Sequence, residues 1–87
     1  PETAPPQRKH LPGWAVLLHN DDVNEFAFVT RSVVEFARLS VQDAMDRTVE
    51  AHEAGVAMLL VTHRERAELI QDQFQTRGVT VTIEPAP

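Results

Sequence analysis

The sequence predicts an α+β domain, a two-layer sandwich in which a three-stranded antiparallel sheet carries three helices on one face. Two short apolar segments, Trp14–His19 and Val56–Thr62, have the length and composition of strands. A third segment, residues 79–84, alternates apolar and polar residues as a half-exposed strand does. Between these segments, apolar residues recur at helical spacing, which gives the order β-α-α-β-α-β.

The first strand ends at the Asn-Asp-Asp turn, which consists of Asn20, Asp21 and Asp22. Such side chains compete for backbone hydrogen bonds and therefore favour turns over regular structure. Apolar residues then recur at helical spacing over residues 25–39. We expect Asp22 or Asn24 to be the N-cap of this first helix.

The second helix is predicted to begin after Ser40, with Asp43 completing a weaker form of the capping box. Gly55 is the expected helix stop, because glycine adopts the left-handed conformation easily. The uninterrupted apolar run of Val56–Thr62 then predicts a strand that is central in its sheet or buried on both faces.

The third helix is predicted from the capping box formed by Thr62 and Glu65, and Gly78 is expected to end it. Three of its apolar residues are expected to face the core: Ala67, Ile70 and Phe74. The alternating strand 79–84 packs on one side only, so the other face of the sheet is expected to be open to solvent or a partner.

The length of 87 residues fits one domain with a modest core. Residues 1–13 are rich in proline and poor in apolar side chains, which predicts a flexible N-terminal extension. We expect residues 14–84 to form the folded core and residues 85–87 to form a disordered tail.

Composition argues against several partners. The formal net charge of −5 disfavours non-specific nucleic-acid binding, which requires clustered Lys and Arg. The longest apolar run, residues 56–61, is too short to cross a bilayer, and we expect no signal segment and no membrane partner. The absence of cysteine excludes disulfides and thiolate metal sites and fits a cytoplasmic location. Nothing in the sequence requires more than a monomer.

The carboxylates of the Asn-Asp-Asp turn suit a metal site, acid–base catalysis or the capture of a cation. A metal site needs further oxygen ligands at fixed loop spacing, and nothing downstream of the turn supplies that pattern, so no metal or other cofactor is expected. Hydrolysis needs a nucleophile with its base. Of the two serines, Ser40 is better explained as a helix N-cap, and Ser32 lies within a predicted helix. We therefore expect a binding protein rather than an enzyme, with a small hydrolase as a remote alternative.

Simpler interpretations of the same polar residues stay open. The Asn-Asp-Asp turn can merely end a strand and cap the next helix. His52, at the end of the second helix, can merely interact with the last carbonyls of that helix. The functional interpretation requires the turn and His52 to converge beside apolar residues of both helices.

Four segments together resemble the ClpS family, the adaptors that deliver N-degron substrates to the ClpA or ClpC unfoldase of the Clp protease. They are residues 16–22, residues 28–29, residues 51–55 and residues 67–68. The resemblance covers nearly all of residues 14–84. It implies a non-catalytic adaptor that recognises a free N-terminal α-amino group and a bulky hydrophobic first residue, namely Leu, Phe, Tyr or Trp.

The resemblance also implies roles for individual residues. Asn20 and Asp21 are expected to hydrogen-bond the α-amino group, with help from His52 and from the negative charge of Asp22. Glu65 matches a position that the family uses to dock the unfoldase. The expected wall of the side-chain pocket consists of Asn24, Phe26, Val29, Thr48, Ala51 and Val79.

Two positions of the pocket wall depart from the family's pattern. Phe26 and Thr48 stand where methionine is common, and the shorter Thr48 should leave a wider or more polar cavity. We hypothesise that the pocket tolerates β-branched first residues. The alternative function is a protein-interaction domain on the same fold, similar to the C-terminal domain of the ribosomal stalk protein, because fold alone does not fix function.

Overall fold

The computed structural model describes residues 12–87, so most of the predicted N-terminal extension lies outside the described residues. It confirms the predicted class and the order β-α-α-β-α-β. The elements are β1 (Trp14–His19), α1 (Phe26–Ser32) with a π-helical continuation (Val33–Ala37), α2 (Val41–Ala54), β2 (Val56–Thr62), α3 (Arg64–Thr76) and β3 (Val81–Pro85).

The sheet is antiparallel with the strand order β2-β1-β3, so β1 is the central strand. The expectation that β2 is central or buried on both faces is therefore wrong. Ala57 and Leu59 are buried, whereas Val56, Met58 and Val61 are 39%, 49% and 49% exposed. The apolar run of β2 thus covers the core with one face and leaves apolar side chains on the open face of the sheet.

The pairing of β1 with β2 joins the segments that carry the predicted site. The register shifts between Val16 and Leu17, and at the far end His19 lies opposite Val56. The backbone N–H of Asn20 then donates to the carbonyl of Gly55 at 3.0 Å. This pairing sets the Asn-Asp-Asp turn beside the C-terminus of α2.

The first helix differs from its prediction at both ends. Its N-cap is Glu25, which makes no side-chain capping hydrogen bond, so neither Asp22 nor Asn24 caps it. The α-helix ends at Ser32, and the π-helical continuation ends at Ala37, followed by Arg38 as its C-cap in the left-handed conformation, with φ of 64°. The apolar spacing that predicted residues 25–39 is satisfied by two helical geometries in succession.

The capping signals of α2 are confirmed. The hydroxyl of Ser40 accepts from the backbone N–H of Asp43 at 3.0 Å. Gly55 has φ of 93°, and its N–H donates to the carbonyl of Ala51. In α3 the N-cap is His63 rather than Thr62, because the ring Nδ1 of His63 accepts from the N–H of Arg66.

The core lies between the sheet and the helices. Its largest fully buried side chains include Val16 and Leu18 of β1 and Ile70 and Phe74 of α3. Pairing extends beyond the expected core boundaries, because β3 runs to Pro85 and the N–H of Ala86 donates to the carbonyl of Gly13 at 2.8 Å.

Candidate functional site

A cavity of about 360 Å³ opens at the C-terminal end of β1, between the first turn of α1 and the last two turns of α2. This volume lies in the range of about 300–1,000 Å³ that is usual for ligand pockets. The lining residues are Leu18, His19, Asn20, Asp21, Asp22, Asn24, Phe26, Val29, Thr48, Ala51 and His52. The fold therefore brings together the Asn-Asp-Asp turn, His52 and five of the six predicted wall residues.

Val79 is the predicted wall residue that lies elsewhere. It is buried in the core and lines a neighbouring groove of about 330 Å³ with residues of α3 and β3. Gly78 and Thr80 on either side of it bond to Asn24 and His19 through their carbonyls, but the side chain of Val79 packs into the core. The predicted strand 79–84 also begins later than expected, at Val81. The sequence did not predict that Leu18 and His19 line the cavity. Their position directly before the Asn-Asp-Asp turn could have indicated it.

Asp21 organises the polar end of the cavity. Its Oδ1 accepts hydrogen bonds from the backbone N–H groups of Val23 and Asn24, both at 2.8 Å. Its Oδ2 accepts from the side-chain amide of Asn24 at 2.6 Å. Burial by itself would raise the pKa of Asp21, but these hydrogen bonds favour the carboxylate and hold the pKa below its ordinary value. Asp21 is therefore ionised at neutral pH.

The other two residues of the turn are exposed and linked to each other. The side-chain amide of Asn20 donates to a carboxylate oxygen of Asp22 at 3.2 Å. Because this bond uses the amide nitrogen, the amide oxygen of Asn20 keeps its capacity to accept. The turn consequently presents oxygen acceptors and negative charge, which is the environment that a small cation requires.

His52 closes the cavity from the side of α2. It lies on the last turn of that helix, is exposed to solvent and lines the cavity with Ala51. The hydrogen bond between Asn20 and Gly55 holds this end of α2 against the Asn-Asp-Asp turn. The convergence that the functional interpretation required is therefore present.

The remaining wall is apolar. Phe26 is 44% exposed on the first turn of α1, and Val29 is buried one turn later. Across the cavity, the Thr48 hydroxyl donates to the carbonyl of Ala44 at 2.7 Å and lies 3.3 Å from the hydroxyl of Thr30, which donates to it. Because its only hydroxyl hydrogen is engaged within α2, Thr48 offers no free donor to the cavity.

The part of the chain that the structure describes contains neither a metal-binding cluster nor a membrane-spanning helix. Within residues 12–87, no three His, Cys, Asp or Glu side chains group together so that they could hold a metal ion. None of the helices in that same part is long and apolar enough to span a membrane. Glu65, the predicted docking residue, is exposed on the first turn of α3, outside the cavity lining.

Residues 9–82 match the family model described as the ATP-dependent Clp protease adaptor protein ClpS. The chain belongs to the ClpS family. The ClpS adapter protein of Synechococcus sp. (strain CC9902) is 40% identical over 79 residues, which cover 90% of this chain and 76% of that relative. The ClpS adapter protein of Synechococcus elongatus is 35% identical over 86 residues, which cover 98% of this chain and 90% of the relative.

The fold is also that of a solved ClpS structure. Agrobacterium tumefaciens ClpS2 bound to L-phenylalaninamide matches with a TM-score of 0.78 and 26% sequence identity. The match covers 88% of this chain and 100% of that chain. The sequence match and the structural match thus agree on a Clp protease adaptor, which confirms the family that the sequence resembles.

Proposed function

We propose that this ClpS family member is a non-catalytic adaptor for N-degron substrates. It binds the free α-amino group and the bulky hydrophobic first residue, Leu, Phe, Tyr or Trp, and delivers the substrate to a ClpA or ClpC unfoldase. The observation that carries the proposal is one cavity with carboxylate and amide acceptors at one end and an apolar wall at the other. L-phenylalaninamide, the ligand of the structurally similar ClpS2, has the same two parts: a free α-amino group and an apolar side chain.

The polar end suits an α-ammonium group. Asn20 and Asp21 supply acceptors, Asp22 adds negative charge, and His52 assists from the rim of the cavity. Hydrogen bonds to a charged group contribute roughly 1.5–3 kcal/mol each. The lowered pKa of Asp21 keeps its carboxylate charged at the pH where the α-amino group is protonated.

The apolar end suits a large first side chain. Phe26, Val29 and Ala51 face the cavity together with Thr48. Burying one large apolar side chain contributes roughly 1.5–3 kcal/mol. After the entropy losses of association, a dissociation constant on the order of micromolar follows, which suits an adaptor that must release its cargo.

The apolar wall of the cavity also affects which first residues the protein selects. A wider pocket at Thr48 would accept first residues that branch at Cβ, as hypothesised from the sequence. The hydrogen bond from Thr48 to Ala44 supports the wider form of this hypothesis over the more polar form, since the hydroxyl donor is already engaged. Phe26, half exposed at the cavity mouth, limits the pocket on the opposite side.

Delivery requires a second surface. Glu65 on the first turn of α3 is the candidate contact for the Clp ATPase, and its separation from the cavity would allow substrate and unfoldase to bind together. A cytoplasmic location and a monomeric state stay predictions. The alternative of a stalk-type interaction domain gives no reason for acceptors to surround a cavity of this size.

The test compares a fluorescent peptide that begins with Phe and its N-acetylated form by fluorescence anisotropy. We expect binding on the order of micromolar for the free peptide and loss of binding for the acetylated one, because acetylation removes the charge and donors of the α-amino group. Equal affinity for the two peptides would contradict capture of the α-amino group and would leave Asp21 as a turn former.

A further inference from the structure

We propose that Asn24 is a positioning residue, because its side-chain amide fixes the orientation of the Asp21 carboxylate that meets the substrate's α-amino group. The sequence suggested that Asn24 caps the first helix or lines the pocket wall, and it gave Asn24 no role toward Asp21. The inference rests on the proposed function, since Asp21 is the α-amino acceptor in that proposal. It concerns Asp21 and Asn24, which lie three residues apart, and Gly78, which is 54 residues from Asn24 in sequence but adjacent to it in space.

The orientation of the Asn24 amide follows from the two groups that accept its hydrogen bonds. The Nδ2 atom donates to Oδ2 of Asp21 at 2.6 Å and to the carbonyl oxygen of Gly78 at 3.0 Å. Both neighbours can only accept, so the nitrogen rather than the oxygen must face them. Both amide hydrogens are therefore engaged, and the polar atom that Asn24 has left for the cavity is its acceptor oxygen.

Most acceptor positions of the Asp21 carboxylate are occupied within the turn. A carboxylate has about four acceptor positions on its two oxygens. In Asp21, Oδ1 accepts from the N–H groups of Val23 and Asn24, and Oδ2 accepts from the Asn24 side chain. One position remains on Oδ2, the same oxygen that the Asn24 amide holds. The two backbone N–H groups hold Oδ1, and the Asn24 amide holds the oxygen that carries the remaining acceptor position, so Asn24 fixes the direction of that position.

The far end of the contact is also fixed. Gly78 follows α3 with φ of 72°, a left-handed conformation that suits glycine. Its neighbour Arg77 forms a 2.9 Å ion pair with Glu35 and lies 4.6 Å from the centre of the Phe36 ring. The hydrogen bond from Asn24 to Gly78 spans 54 residues of sequence. It therefore ties the acidic turn to a braced part of the fold.

Helix capping does not account for this side chain. Asn24 directly precedes Glu25, the N-cap of α1, and no side chain caps that helix. Removing the Asn24 amide should therefore change the carboxylate of Asp21 more than it changes the start of α1. This difference separates positioning from a general structural role.

The experiment uses Asn24→Ala in the full chain. In the free protein, an NMR titration of the Asp21 side-chain carboxyl carbon should give a higher pKa in the variant than in the wild type. The dissociation constant of a peptide that begins with Phe should rise roughly tenfold, because the Asp21 carboxylate is no longer held in the orientation that meets the α-amino group. Asn24→Leu, which keeps much of the side-chain volume without donors, should give the same two changes, and amide NMR spectra report whether each variant is folded.

The matched control is Gln42→Ala. Gln42 also donates an amide hydrogen to a carboxylate, that of Asp46 at 2.9 Å, but on the exposed surface of α2 and outside the cavity. The Gln42→Ala substitution should leave both the Asp21 titration and the peptide affinity at wild-type values. A folded Asn24 variant with wild-type titration and affinity would overturn the positioning role. If the wild type binds no peptide, the proposed function fails, while the Asp21 titration still decides whether Asn24 fixes that carboxylate.

Discussion

The backbone N–H of Asn20 and the carbonyl of Gly55 meet at 3.0 Å and join the end of β1 to the end of α2. Asn20 begins the acidic turn, and Gly55 lies three residues after His52. A single backbone hydrogen bond therefore unites the two polar elements of the cavity.

Gly55→Ala tests the junction. Gly55 has φ of 93°, and an added Cβ would meet no atom of a more distant residue within 4 Å, so the cost is conformational rather than steric. We expect the free energy of unfolding to fall by about 1–2 kcal/mol, the cost of the left-handed conformation for a residue with a side chain. Chemical denaturation monitored by circular dichroism measures it. Wild-type stability would show that this conformation is not required at residue 55.

Asp21→Ala tests the acceptor. The variant loses the carboxylate charge in the cavity, so the peptide that begins with Phe should bind roughly 10–100 times more weakly, which corresponds to about 1.5–3 kcal/mol. Fluorescence anisotropy gives the dissociation constant. The fold should persist, because the turn lies at the surface. Asp22→Ala is the comparison and should have the smaller effect, since Asp22 is exposed and accepts only from Asn20 among the described hydrogen bonds. Global unfolding of Asp21→Ala would instead favour a purely structural turn.

The pKa of Asp21 predicts a pH dependence of stability. Because the folded-state pKa lies below the ordinary value of 3.8, the charged carboxylate stabilises the fold at any pH above that value. This contribution should disappear as the pH falls from the ordinary value through the lowered one. Unfolding free energies of the wild type and Asp21→Ala, measured from about pH 6 to about pH 2, should therefore converge at the acidic end. A constant difference across that range would show that the charge of Asp21 contributes nothing.

Thr48→Met tests the selectivity hypothesis. A longer side chain should fill the wider part of the cavity, so it should weaken binding of peptides that begin with Ile or Val more than binding of peptides that begin with Leu or Phe. A panel of five peptides, with Leu, Phe, Trp, Ile or Val first, gives the profile by anisotropy. Val49→Met, at an exposed position outside the cavity on the same helix, is the control. A wild-type profile restricted to Leu and Phe would contradict the hypothesis.

Local signals in the sequence predicted most element boundaries. Ser40 and Gly55 delimit α2 as expected, because a capping hydroxyl and a left-handed glycine act within a few residues of their own position. The cap of α3 is one residue later than the sequence predicts, at His63 instead of Thr62. Both side chains carry a hydrogen-bond acceptor, so local sequence does not distinguish them. Such errors of one residue do not alter the fold.

By itself, the sequence determined the order of elements, the turn after β1 and the family resemblance, which depend on residue types and on their spacing along the chain. Only the tertiary structure decided that β2 is an edge strand, that Val79 lies outside the cavity and that Asn24 holds both Asp21 and Gly78. The physical reason is that strand order and side-chain contacts across 54 residues depend on how the sheet and helices pack together. The spacing of residues along the chain does not predict that packing.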